Sequence, residues 1–133
     1  MKILTIGDVV GEAGLDALHA LLRRIKRDTG ADFVIVNGEN AAGNGVLPRQ
    51  AEDIFDAGAD VVTLGNHAFG KQQIVPYLDE HSDILRPANL APQSPGQGWG
   101  IFDGPQGSRL LVIDLIGRCD MKYGPDNPFL CVD

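Results

Sequence analysis

Phe33-Val34-Ile35-Val36-Asn37-Gly38-Glu39-Asn40 decides the reading of this chain. Four apolar residues in a row fit a strand covered on both faces, as in a parallel sheet. The run breaks at a glycine followed at once by a carboxylate and an amide. The same kind of ending occurs on either side. Upstream, Lys2-Ile3-Leu4-Thr5-Ile6 reads as a short strand that breaks at Gly7-Asp8. Downstream, Asp60-Val61-Val62-Thr63-Leu64 reads as a buried strand that breaks at Gly65-Asn66-His67.

The segments between these strands are helical. Leu15, Leu18, Leu22 and Ile25 fall three or four apart and form one apolar stripe over about Leu15 to Asp28, with Gly30 as the stop. Pro48 opens a second helix that runs to about Ala57 and stops at Gly58. A third helix is expected over roughly Lys71 to Glu80, with a bend at Pro76. Beyond it, Ile84-Leu85 is a short strand and Pro87 to Gly98 a loop. Gly100-Ile101-Phe102 and Arg109 to Leu115 pair around a Gly104-Pro105-Gln106-Gly107 turn. Strand and helix alternate, so the class is α/β, a largely parallel or mixed sheet with flanking helices, in a single domain over residues 1–133.

Composition narrows the function. The chain is 44% hydrophobic and 22% charged, an ordinary globular balance. Its net charge of -7 argues against binding double-stranded nucleic acid, which takes Lys and Arg to displace counterions. A small phosphorylated substrate stays open, because a bound cation reverses the local field. Cys119 and Cys131 match no zinc spacing and read as free thiols of a reducing compartment. The Ile3–Ile6 run is far too short for a signal core or a membrane span, so the expected location is cytoplasmic.

In a parallel sheet the C-terminal strand ends share one edge, where ligands bind. Asp8, Glu39, Asn40, Asn66 and His67 would converge there. A lone Gly-Asp is more often a turn or a helix cap, but three such endings in succession point to a metal or anion site. Carboxylate and carbonyl oxygens suit hard cations such as Mn²⁺ or Mg²⁺, and imidazole suits iron or zinc. Other polar residues read as structural. His19 borders the first stripe, and His81 ends the third helix. Arg23, Arg24, Lys26 and Arg27 form a solvated face, Trp99 packs, and Arg86 and Asn89 lie close to the same sheet edge, where a loop role is favoured over contact with substrate. Cys119 has no histidine beside it to make it a nucleophile. There is no G-x-x-x-x-G-K-[ST] loop, and Gly7, Gly11 and Gly14 do not make a dinucleotide fingerprint.

Ile6-Gly7-Asp8-Val9-Val10-Gly11, Asn37-Gly38-Glu39-Asn40-Ala41-Ala42-Gly43 and Thr63-Leu64-Gly65-Asn66-His67 resemble the YmdB-like branch of the calcineurin-like metallophosphoesterases. Leu115-Ile116-Gly117-Arg118 and Asp126-Asn127-Pro128-Phe129 are similar to it as well. The resemblance implies part of a four-layer metallophosphoesterase α/β sandwich. It implies a dinuclear centre of divalent or trivalent ions, often iron or manganese, that hydrolyses phosphodiesters such as cyclic nucleotides. By matching position, Asp8 and Asn40 hold the first metal, Glu39 bridges both, and Asn66 holds the second. His67 protonates the leaving oxygen. Val10 stands where the wider superfamily has histidine, and Glu39-Asn40 replaces an aspartate; both are normal in this branch. Ala68-Phe69-Gly70 departs from its usual aromatic followed by an acid.

Relatives of this branch run to about twice this length. Their second half supplies further histidine ligands, none of which has a match here. The chain is therefore expected to hold the first half of the site, with weak metal binding and little activity by itself. An uncovered sheet edge or face would favour homo-oligomers. The reading from a different class is a noncatalytic regulatory module with a vestigial metal site.

Overall fold

The computed structural model describes residues 1–121 and 124–133. Strand β1 (Ile3–Ile6), helix α1 (Gly11–Thr29), β2 (Phe33–Asn37), α2 (Pro48–Ala57), β3 (Val61–Thr63), α3 (Ile74–Glu80) and β4 (Ile84–Leu85) alternate along the chain. They are followed by β5 (Trp99–Asp103), β6 (Arg109–Ile113) and α4 (Pro128–Val132). The first four strands make one parallel sheet in the order β1-β2-β3-β4. The three strands with the glycine endings are therefore side by side, as the sequence implied. β5 and β6 form a separate antiparallel pair.

Strand alternation sorts the core into two halves. Val34, Val36, Val62 and Ile84 face the helices, where they meet Leu15, Leu18 and Leu22 of α1, Ile54 of α2 and Leu78 of α3. Phe33, Val61 and Leu85 face the opposite way and pack on Val112 and Phe102 of the β5–β6 hairpin. Helices, parallel sheet and hairpin thus form successive layers. Val34, Val36, Val61 and Val62 are wholly buried, each contributing about 1.5–3 kcal/mol relative to exposure.

Several boundaries differ from the sequence reading. Helix α1 starts at Gly11 rather than Leu15. Val9 is buried beneath its first turn, and the Gly11 N–H donates to Asn40 O at 3.1 Å, which anchors that turn to the β2 loop. Helix α3 starts at Ile74 rather than Lys71. Pro76 therefore falls in its first turn, where the missing N–H breaks no helical bond, and it has no bend to explain. Helix α4 has no counterpart in the sequence reading. Pro128 opens it, and the Asn127 side chain caps it by accepting from Phe129 N at 3.0 Å.

Trp99 does not pack in the core. It is 55% exposed, and with Ile101 and Leu111 it forms an apolar outer face on the hairpin. The basic face of α1 is not simply solvated either. Arg23 donates to Asp56 O, and Lys26 pairs with Asp60 Oδ2 at 2.9 Å. His19 is exposed. His81 is structural, its Nδ1 2.9 Å from Tyr77 O and its ring stacked on Tyr77. Among the described residues, no helix is long and apolar enough to cross a membrane.

Candidate functional site

The loops after β1, β2 and β3 are tied together by their own backbone. Val9 N donates to Asn37 O at 2.9 Å, and Gly38 N to Thr63 O at 3.0 Å. Val10 and Asn40 form an isolated parallel bridge. Asp8 takes a positive φ of 42°, a conformation that Asp and Asn tolerate better than most side chains. Two glycines then allow close approach. A Cβ on Gly65 would meet the Glu39 carboxylate, and a Cβ on Gly70 would meet the backbone of Asn44. The β2 and β3 loops are in this way pressed against one another.

These ties bring Asp8, Glu39, Asn40 and His67 into one hydrogen-bonded set. Asn40 Nδ2 donates to Asp8 Oδ1 at 2.8 Å. His67 Nδ1 lies 2.8 Å from Asn40 Oδ1. Because the Asn40 amide nitrogen is turned to Asp8, its oxygen is the acceptor and His67 Nδ1–H the donor. His67 N donates to Glu39 Oε2 at 3.3 Å, and His67 Nδ1 lies 4.0 Å from the same oxygen. Asn66 is not joined to the set. It is exposed, and among the described residues its side chain makes no hydrogen bond to the other four.

The donors fit a hard cation, incompletely. Among the described residues, no hydrogen bond engages Asp8 Oδ2 or Glu39 Oε1, and the Asn40 carbonyl keeps a second lone pair. Yet among the described residues no three His, Cys, Asp or Glu side chains gather closely enough to hold a metal by themselves. The set therefore leans on amide oxygens and leaves coordination positions for other groups.

A cleft of about 930 Å³ opens beside the set. Asn66, His67, Phe69, Asn89, Leu90 and Ile116 are among the residues lining it. Asp8 borders a different, smaller groove along α1. The cleft thus meets the set on its β3 side. Arg86 and Asn89, read from sequence as loop residues, are both buried; Asn89 lines the cleft, and Arg86 bonds the loop that carries its lining residue Ser94. Asn89 Nδ2 donates to Ile116 O and Asp126 O at 2.9 Å each, and its Oδ1 accepts from Ile116 N. Arg86 donates to Pro87 O at 2.8 Å and Ser94 O at 3.4 Å, while its buried Nε has no partner among the described residues.

One residue of the site was missed in the sequence. Asp114, just past β6, accepts from Leu64 N at 3.0 Å through Oδ2. Its pKa is pushed up to about 7, chiefly by burial, with the Leu64 N–H opposing and the charge of Glu39 adding to the rise. Its sequence signal was an acid closing the apolar run Leu110–Ile113, which reads equally well as a strand leaving the core.

Comparison with known proteins places the chain as a whole. The chain is 38% identical over 134 residues to the 2',3'-cyclic-nucleotide 2'-phosphodiesterase of Bacillus subtilis, covering 100% of this chain and 50% of that protein. A crystal structure of a hypothetical protein from Thermus thermophilus superposes with a TM-score of 0.89 at 36% identity, over 99% of this chain and 51% of the other. A phosphatase from Mycoplasma pneumoniae gives a TM-score of 0.88 at 29% identity, over 99% and 49%. The chain spans about half the length of the curated relatives it matches. The YmdB-like protein family matches residues 4–133, and the chain belongs to that family.

Proposed function

We propose that this chain carries the first half of a dinuclear phosphoesterase site that hydrolyses phosphodiesters, cyclic nucleotides among them. The observation that carries the reading is the hydrogen-bonded run Asp8–Asn40–His67, with Glu39 beneath it. The name of the Bacillus subtilis relative supports the substrate class. In this reading Asp8, Glu39, Asn40 and Asn66 are the residues that would hold the ions, iron or manganese. When bound, such ions supply Lewis-acid stabilisation to phosphate oxygens. The chain's own residues do the rest. Asn40 orients the ring by accepting from Nδ1–H, so that when both ring nitrogens carry protons Nε2–H gives its proton to the leaving oxygen and His67 is left as the neutral Nδ1–H imidazole. The cleft that His67 and Asn66 line holds the organic part of the ester. Such a site takes a small phosphorylated substrate in the cytoplasm and no membrane or double-stranded nucleic acid.

The test has two parts. Mn²⁺ is titrated into the chain by calorimetry, and hydrolysis of bis(p-nitrophenyl) phosphate is followed with and without the separately produced second half of the Bacillus subtilis relative. Weak heat that disappears in Glu39→Gln, and hydrolysis that rises on adding the second half, are the expected results. Absence of both, with a stable protein partner recovered instead, would replace this reading by a noncatalytic module.

A further inference from the structure

The Gly65-Asn66-His67 loop is fixed from below by a residue outside the five discussed above. Asp114 lies at the junction between the two sheets. Its N–H donates to Gly98 O at 3.0 Å, and its carbonyl accepts from Ala88 N at 2.8 Å. Its backbone is thereby locked to the segments on both sides of the cleft-wall loop. Its carboxylate then reaches across to β3 and shares the Leu64 N–H with Leu85 O, which lies at 2.9 Å. Leu64 is the last residue before the loop and is itself buried at 1% exposure.

We infer that Asp114 is a positioning residue for the site, its carboxylate holding the Leu64 N–H so that Gly65 stays seated over Glu39 and His67 stays within reach of Asn40. A further observation supports this. A carboxylate this buried, with Glu39 close enough to oppose its charge, is costly to keep unless its position has a use. Buried Arg86, at the strand end beside β3, offsets only a small part of that cost. Residues that orient ligands from behind commonly alter metal affinity by roughly 10–100-fold when removed. The inference deepens the metal-site reading and rests on it for its chemical consequence.

The experiment compares Asp114→Asn, Asp114→Ala and the unaltered chain by ¹H–¹⁵N NMR and by Mn²⁺ calorimetry. Asn keeps an oxygen that accepts from Leu64 N–H, and Ala does not. Should the Ala variant fail to fold, Asp114→Ser takes its place, since its hydroxyl is too short to reach. The expected result is displaced Leu64, Gly65 and His67 signals in the Ala or Ser variant, with α1 and β1 signals unmoved, and near wild-type positions in the Asn variant. Mn²⁺ affinity should fall by roughly tenfold or more in the Ala or Ser variant and recover in Asn. Unmoved loop signals in the Ala or Ser variant overturn the inference. So does an Asn variant as disturbed as the Ala. If the unaltered chain shows no Mn²⁺ heat, the metal reading falls, and the NMR comparison still decides whether Asp114 positions the loop.

Discussion

Glu39 and Gly65 compete for one volume: a methyl group on Gly65 would come within 2.7 Å of the Glu39 Cδ. The glycine of the β3 ending is therefore required for what lies under it. Its own φ is not positive, so the demand is steric rather than conformational. Gly65→Ala is expected to displace the Glu39 carboxylate, the movable end of its side chain, at a cost of no more than about 1 kcal/mol. It should also abolish measurable Mn²⁺ binding. Gly7→Ala, where a Cβ meets nothing within 4 Å, should change stability by less than about 0.5 kcal/mol. Urea unfolding of the two variants checks the stabilities, and Mn²⁺ calorimetry of Gly65→Ala checks the binding.

Asn40 joins Asp8 to His67 with one side chain. Asn40→Ala removes both links and leaves two partners to find water. The expected cost is about 1–2 kcal/mol, since the set is partly exposed. Mn²⁺ binding should weaken far more than stability does. Calorimetry run beside thermal unfolding separates the two, and equal proportional losses would contradict a ligand role for Asn40.

The raised pKa of Asp114 fixes the sign of a pH effect. The unfolded group titrates near 3.8 and the folded one near 7. Between these values the folded chain keeps a proton that the unfolded chain has lost. The contribution of this group to stability is full below pH 3.8 and is lost as the pH rises through about 7. Asp114→Asn cannot lose that proton. Its stability relative to the unaltered chain should therefore grow from pH 4 to pH 8, by on the order of a few kcal/mol. Urea melts at four pH values test this, and parallel pH profiles would contradict it.

The hairpin layer is attached through aromatic packing. Phe33 is 6% exposed, and its ring centroid lies 5.9 Å from that of Phe102. Phe33→Ala should cost about 3–5 kcal/mol. Hydrogen exchange should then quicken across β5 and β6 before it does in α1, because the helices pack on the other face of the sheet. Uniform quickening would show that the layers are not separable in this way.

Much of this molecule was legible in its sequence. The strand ends were readable because glycine followed by a ligand-type residue is a local signal, and parallel topology turns three local signals into one place. The hairpin as a separate sheet was not, since its strands look like any others until their partners are known. Trp99 was misread because the β5 run is apolar on both sides: Phe102 faces the core while Trp99 and Ile101 face out, and period two cannot say which side is which. The start of α1 depended on Val9 and on a bond to Asn40, both tertiary. Asp114 escaped notice because its value lies in a partner 50 residues away along the chain.

The contact of Gly70 with the Asn44 backbone has a mechanical consequence. Two ribbons that touch without intervening side chains have no soft material between them to compress. Asn40 and His67 therefore ride on a single stiff plate, and a push on one is felt by the other. Asp8 moves with that plate too, since the residues just after it are pinned to the β2 loop through Val9 N and Gly11 N.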